Sequence, residues 1–271
     1  MMKRNVWNGV EYLTFPALEE TGVVKHLFST RIGGVSEGIF STMNLSYTRG
    51  DKKEAVDENF RRIAGVLGGD ISDFVLSDQT HTTNVRKVTV EDKGKGIVKE
   101  KDYQDVDGLI TDEPGIILAT FYADCVPLFL VDKKHRAIGL SHSGWKGTVG
   151  KIGECTLHAM KEAYGTKPED VVVGIGPSIC KKCYEIGKDV ADIFAEHFSE
   201  EIKQEILFDK GGGKYLLDLW KANYYVFLMA GVPADKISIT DICTCCNPGY
   251  LFSHRASHGK RGNLGAFLVL L

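Results

Sequence analysis

The stretch Ala119–Gly147, ATFYADCVPLFLVDKKHRAIGLSHSGWKG, constrains the fold more than any other part of the chain. Two apolar runs, Ile116–Val131 and Ala137–Leu140, lie on either side of the polar Asp132–Arg136. Their β-branched and aromatic content reads as buried strands. Polar residues interrupt this block at only two places, Asp124–Cys125 and His142–Ser143. A thiol and an imidazole thus fall within or at the ends of the most buried elements. That pair suits a transition metal such as zinc, or a Cys–His nucleophile. It also fits a packed cysteine and a core histidine, the commoner situation for such a pair taken alone.

Composition excludes several classes. With 271 residues the chain is long enough for one large domain or two small ones. A net charge of −3 leaves no electrostatic footprint for nucleic acid or an anionic membrane. No apolar run reaches the 18 residues or so of a membrane span, and no apolar core follows the basic start MMKRN, as it would in a signal peptide. The seven cysteines are an odd number. With no export signal they read as reduced thiols, so a cytoplasmic protein is expected.

The remaining segments read as a mixture of strands and helices. Lys3–Phe28 alternates as an early hairpin would. Phe28–Leu45 is a Gly-, Ser- and Thr-rich loop that suits either a surface turn or a binding loop. A helix is predicted from Asp51 to Leu67, ended by Gly68–Gly69. His81 follows in a polar stretch leading into a strand, and Glu91–Asp105 is a charged excursion. Thr148 is expected to cap a helix to about Tyr164. Further helices are predicted over Gly187–Phe198 and from an Asp218 cap to about Ala230. Strands are predicted at Val106–Thr111, Val171–Ile175, Ile237–Ile242 and Ala266–Leu271. Without a regular βαβ rhythm, a single α+β domain spanning 1–271 is favoured over a doubly wound sheet.

His81, Cys125 and His142 are the leading candidates for chemistry. Three protein ligands and one open position make a catalytic zinc site, in which the metal acts on water or substrate. Asn44, Asp107 and Asp124 lie beside these elements; either aspartate would serve to orient a ligand histidine or to act as general base, although alternation along a regular strand turns Asp124 away from the face of Cys125. Gly144–Thr148 runs from a strand into a helix and reads either as a phosphate cradle completed by Lys146 or as a plain capping turn. Cys180-x-x-Cys183 and Cys243-x-Cys245-Cys246 resemble half-sites of a structural zinc or a redox pair, but the halves are far apart and the second is irregular, which favours unpaired packed thiols. His254, Arg255, His258, Lys260 and Arg261 form a small basic segment near the C-terminus.

In combination and in order, several stretches resemble the laccase-domain family, also called multicopper polyphenol oxidases. They are FSTRIGGVSEGIFSTMNL, QTH at Gln79–His81, VDGLIT at Val106–Thr111, ADCVPL at Ala123–Leu128, HSGWKGT at His142–Thr148, CYEI at Cys183–Ile186 and FSHR at Phe252–Arg255. The resemblance implies a mixed β-sheet sandwich flanked by helices, related to cysteine-hydrolase-like toxin domains. It implies zinc-dependent phosphorolysis of adenosine, inosine, guanosine and methylthioadenosine, and deamination of adenosine. It carries the metal-ligand and catalytic roles onto His81, Cys125 and His142. Arg31, Asn44, Lys146 and Arg261 are then the candidates for binding nucleoside and phosphate. Zinc is expected rather than copper, because multicopper centres use paired histidines and the eight histidines here include no His-x-His. Thr82 and Lys146 depart from the glycine and arginine common at those positions. The rival readings are a metal-free Cys125–His142 amide hydrolase, as in peptidoglycan precursor editing, and a non-enzymatic zinc module.

Overall fold

The computed structural model describes residues 1–271. The run Ile116–Val131 is not one strand. It forms Ile117–Tyr122 and Val126–Asp132, which belong to different sheets. The first sheet has the order Lys3–Trp7, Val10–Thr14, Val24–Ser29, Leu264–Leu270, Ile117–Tyr122 and Phe74–Leu76. The second runs Ile237–Ile239, Val171–Ile175, Val126–Asp132, Ala137–Ser143, Gly108–Thr111 and Val85–Lys87. The chain crosses between them at Ala123–Asp124–Cys125, where Asp124 takes a φ of 92°. A left-handed aspartate at the corner is stabilised by its own side chain: its two carboxylate oxygens accept from Thr244 Oγ1 at 2.6 Å and the Arg255 N–H at 2.7 Å.

Side-chain alternation explains the layering. Phe129 and Val131 face the first sheet, packing with Phe28, Leu118 and Leu268, whereas Val126, Leu128 and Leu130 face the opposite way, towards Ile152, Leu157 and Phe227. Both faces of this strand are apolar because both are covered. The outer face of the first sheet carries Leu27, Ala119 and Phe267 against Phe60, Ile63 and Leu67 of the helix Lys53–Leu67. The result is a mixed α+β fold with sheets flanked by helices. A third, three-stranded sheet of Glu185–Gly187, Lys214–Leu217 and Leu207–Gly211 completes it. Its hairpin turns at Gly211–Gly213, all three at positive φ.

Sequence patterning located most elements to within a few residues. The helix ended by Gly68 begins at Lys53, and Asp218 does cap Leu219–Met229 through the Lys221 N–H at 3.0 Å. The structure adds a short helix, Glu200–Ile206, whose seven residues span under two turns and give little periodicity to read. Thr148 does not cap a helix. It lies inside a five-residue helix, Trp145–Val149, and Ile152–Tyr164 starts afresh after Lys151 adopts a left-handed φ of 57°. The break at Gly150 gives room for the loop around Thr83, since a Cβ there would stand 2.6 Å from Thr83 Cγ2.

His26 sits in the core between Phe15 and Phe129, 4% exposed, and its Nε2 accepts the Phe15 N–H at 2.8 Å. Burial holds its pKa down at about 4, against 6.5 for an ordinary histidine. Between those values the unfolded chain binds a proton that the folded chain refuses, so stability present above pH 6.5 is lost as pH falls towards 4. The expected loss is about 3 kcal/mol between pH 7 and pH 4. Urea unfolding at the two pH values, in wild type and His26→Leu, checks this: the variant starts lower because it strands the Phe15 N–H, but it should lack this portion of the pH dependence.

Candidate metal centre

Three loops and strand ends bring His81, Cys125 and His142 together. Cys125 ends the crossover corner, His142 lies in Ala137–Ser143, and His81 lies in the loop before Val85–Lys87. Their ligand atoms all fall within 4.8 Å of one another, with Cys125 Sγ 3.8 Å from His81 Nε2. The two imidazole rings meet edge-to-face at 4.9 Å. Gly144 makes the space. A Cβ at that position would stand 2.7 Å from the His81 ring and 3.2 Å from the Cys125 sulfur.

Asp107 organises the cluster. Its Oδ1 accepts from His142 Nδ1 at 2.7 Å, which leaves Nε2 of that ring as the free donor atom. The same carboxylate accepts the N–H groups of Thr80, His81 and Thr82 at 3.1, 3.2 and 2.8 Å. Three successive N–H groups converging on one anion form a nest, and His81 adopts a φ of 66° within it. Gln79 ties the loop's start to the first sheet. Its side-chain amide accepts from the Phe121 N–H and donates to the Phe121 carbonyl, at 2.7 and 2.8 Å. Of the three polar candidates beside the cluster, Asp107 is therefore the orienting group. Asn44 is buried and spent on Ser46, Asp51 and Asn263, and Asp124 is held by Thr244 and Arg255.

The electrostatics favour charge on the sulfur. Burial alone would push the Cys125 thiol up, but the His142 imidazolium and its hydrogen bond, helped by His81, outweigh it and bring the pKa down to about 6. Burial alone would lower His142, but the Cys125 thiolate and Asp107 raise it to about 9. Asp107 is buried too, which would raise it, yet His142 and the Thr82 and Thr80 N–H groups hold it below the ordinary carboxylate range. Without a metal this is a thiolate–imidazolium pair; once a metal displaces the Nε2 proton of His142, a thiolate and two neutral imidazoles remain, a donor set that suits zinc.

The cluster opens onto two clefts. The larger, of about 670 Å³, is lined by Gln79, Tyr184, His254 and Arg261 among others, a volume ordinary for a small-molecule site. The smaller, of about 310 Å³, lies towards Trp145, Lys146 and Leu219. Arg261 is 8% exposed and its Nε has no partner, while His254 and Asn263 contact the rest of its guanidinium. Arg49, which composition and motif did not single out, lines the same cleft and helps lower the Arg261 pKa, chiefly depressed by burial, to about 10. Arg31 is not brought to the cluster. Its guanidinium stacks on Phe252 and donates to the carbonyls of Ser41 and Pro248. Gly144–Thr148, which suits a phosphate cradle or a capping turn, does run into a helix, but a short one of five residues, with Gly144 packed against the His81–Cys125 pair and Lys146 against the smaller cleft.

Residues 25–271 match the model of a family described as multi-copper polyphenol oxidoreductase laccase. The chain belongs to this family. Among curated relatives, the purine nucleoside phosphorylase YlmD of Bacillus subtilis is 35% identical over 246 residues, covering 89% of this chain and 86% of that protein. An adenosine deaminase, RL5, from an unknown prokaryotic organism is 34% identical over 231 residues, covering 84% of this chain and 87% of its own. Among solved structures, YlmD from Geobacillus stearothermophilus superposes with a TM-score of 0.89 at 32% identity, over 98% of this laccase-family chain and 97% of that one. A Bacillus licheniformis protein, YfiH, gives a TM-score of 0.91 at 31% identity, over 98% and 97%.

Proposed function

We propose that this chain is a zinc-dependent purine nucleoside phosphorylase that also deaminates adenosine and phosphorolyses methylthioadenosine, with residues 1–271 acting as one catalytic domain. The observation that carries this reading is the convergence of His81, Cys125 and His142 at the mouth of a cleft of about 670 Å³. The relatives named for phosphorolysis and deamination supply the reaction class. His81 Nε2, Cys125 Sγ and His142 Nε2 would hold the metal. Bound there, zinc would supply a Lewis acid with an open position. Adenosine, inosine and guanosine are the further substrates, and the seven free cysteines suit a reducing cytoplasm. No helix is long and apolar enough to cross a membrane.

In phosphorolysis a phosphate oxygen forms a bond to C1′ of the ribose while the C1′–N9 bond breaks. The purine leaves with the electron pair and takes up a proton. The residues of this chain have to hold an anion beside C1′ and keep bulk water out. Arg261 is the best placed to hold it, being buried with an unpaired Nε, and Arg49 adds a second positive charge on that wall. Lys146 faces the other cleft and is assigned to the nucleoside side; Arg31 and Asn44 are assigned to holding the Phe28–Leu45 loop.

The test is phosphate dependence. Purified protein is expected to release hypoxanthine from inosine only when phosphate is present, and ammonia from adenosine without it. Arg261→Lys should raise the KM for phosphate about tenfold or more, because a lysine cannot reproduce a forked contact. A metal-replete protein that releases no base from any purine nucleoside would sink the reading. The Cys125–His142–Asp107 alignment and the low thiol pKa also favour a metal-free hydrolase. Thiol alkylation separates the two. A nucleophile is labelled with or without chelator, whereas a ligand is protected until the metal is stripped.

A further inference from the structure

Four cysteines unused by that cluster meet on the neighbouring wall. Cys180 and Cys183 lie in the loop after Val171–Ile175, and Cys243 and Cys246 in the loop after Ile237–Ile239. The two strands are parallel neighbours, with Val173 opposite Ile237 and Ile175 opposite Ile239. Both loops therefore leave the same end of the sheet side by side, and they pair once more at Ser178 and Cys243. All four sulfurs lie within 4.8 Å of one another, with Cys183–Cys246 at 3.4 Å and Cys180–Cys246 at 3.9 Å. A tetrahedron with Zn–S bonds of about 2.3 Å has edges of about 3.8 Å, whereas a disulfide needs about 2.05 Å. The Cys180 and Cys246 N–H groups both point at Cys243 Sγ, at 3.2 and 3.4 Å. Backbone donors aimed at a sulfur fix its position and would support it as a ligand once a metal takes the place of the proton.

We propose that Cys180, Cys183, Cys243 and Cys246 bind a second zinc ion, in a closed tetrathiolate site that braces the cleft. The working spacing is Cys-x-x-Cys in both halves, since Cys245 stands outside the group. Binding releases the thiol protons and involves no redox step. Four protein ligands leave no position for substrate, so the ion is structural. Its loops reach the crossover corner directly. Thr244, between two of the ligands, donates to Asp124, and the Ile179 N–H donates to the Asp124 carbonyl at 3.0 Å. The Cys183 carbonyl accepts from Arg255 at 3.2 Å. Asp124 is the neighbour of Cys125, so slack in these loops would reach the first metal centre. The site does not depend on which reaction the cleft performs.

Metal content of the full chain, made without a histidine tag and purified without chelator, tests this. Wild type is expected to carry two zinc equivalents, Cys183→Ser/Cys246→Ser one, and Cys125→Ala one. Should the double serine variant fail to fold, Cys125→Ala carries the test alone. Reconstituted with cobalt, it should show the intense sulfur-to-metal charge-transfer band of a four-thiolate site. A Cys125→Ala chain without metal, or a disulfide joining the two loops in the native protein, would overturn the proposal. A wild-type chain with one equivalent that Cys125→Ala retains would support this site and count against the His81–Cys125–His142 centre.

Discussion

Cys125→Ala is expected to abolish phosphorolysis while leaving the fold standing. The sulfur is half-buried at the rim of the cleft, so its removal opens little enclosed volume, and the stability cost should stay near 1 kcal/mol. The catalytic cost is far larger. A metal acting as Lewis acid supplies several kcal/mol of transition-state stabilisation, and 1.36 kcal/mol is a decade in rate, so a loss of about a thousandfold or more is expected. His81→Ala should behave alike, because two remaining ligands hold zinc poorly. The measurements are zinc content, phosphate-dependent hypoxanthine release and circular dichroism on the same preparation. Turnover within tenfold of wild type in a chain lacking this sulfur would mean that the reaction does not use the centre.

The sequence made the strands legible because both sides of Val126–Asp132 are covered and its residues are apolar on both. It also pointed to Cys125 and His142, since polar residues inside buried runs are costly and few, whereas His81, set in a polar stretch, stood out through the QTH motif of the family. Hidden was the change of sheet at Ala123–Cys125. A corner made by one aspartate at positive φ looks, as a string of letters, like a short break in a single strand. The cysteine pairs were hidden for another reason. Their proximity is set by two parallel strands adjacent in the sheet, and strand order cannot be read from residue spacing. The same holds for Arg49: it reaches the Arg261 wall only because the loop after Phe28–Leu45 folds along the cleft. The glycine of His-Ser-Gly-Trp read as a helix start, whereas its chief consequence is room for a sulfur and an imidazole.

Asp107→Asn, which changes one oxygen to nitrogen, is expected to disturb both histidines at once. The carboxylate accepts on both oxygens: Oδ1 takes His142 Nδ1 and the His81 N–H, and Oδ2 takes the Thr80 and Thr82 N–H groups. An asparagine has one acceptor oxygen. Turned towards His142, it presents its NH₂ to the Thr80 and Thr82 donors and unseats the loop that carries His81. Turned towards the loop, it presents the NH₂ to His142 Nδ1, which favours the tautomer with its proton on Nε2 and removes the lone pair facing Cys125. Either way a half-buried backbone donor loses its partner, at about 1 kcal/mol of stability. Metal affinity and turnover should fall about 10- to 100-fold, the usual cost of losing the partner of a ligand histidine. A purely structural role would lower the melting temperature and spare zinc affinity. Zinc competition against a chelator of known affinity therefore decides the matter: an affinity within twofold of wild type, in a variant that melts early, would leave Asp107 as a loop anchor only.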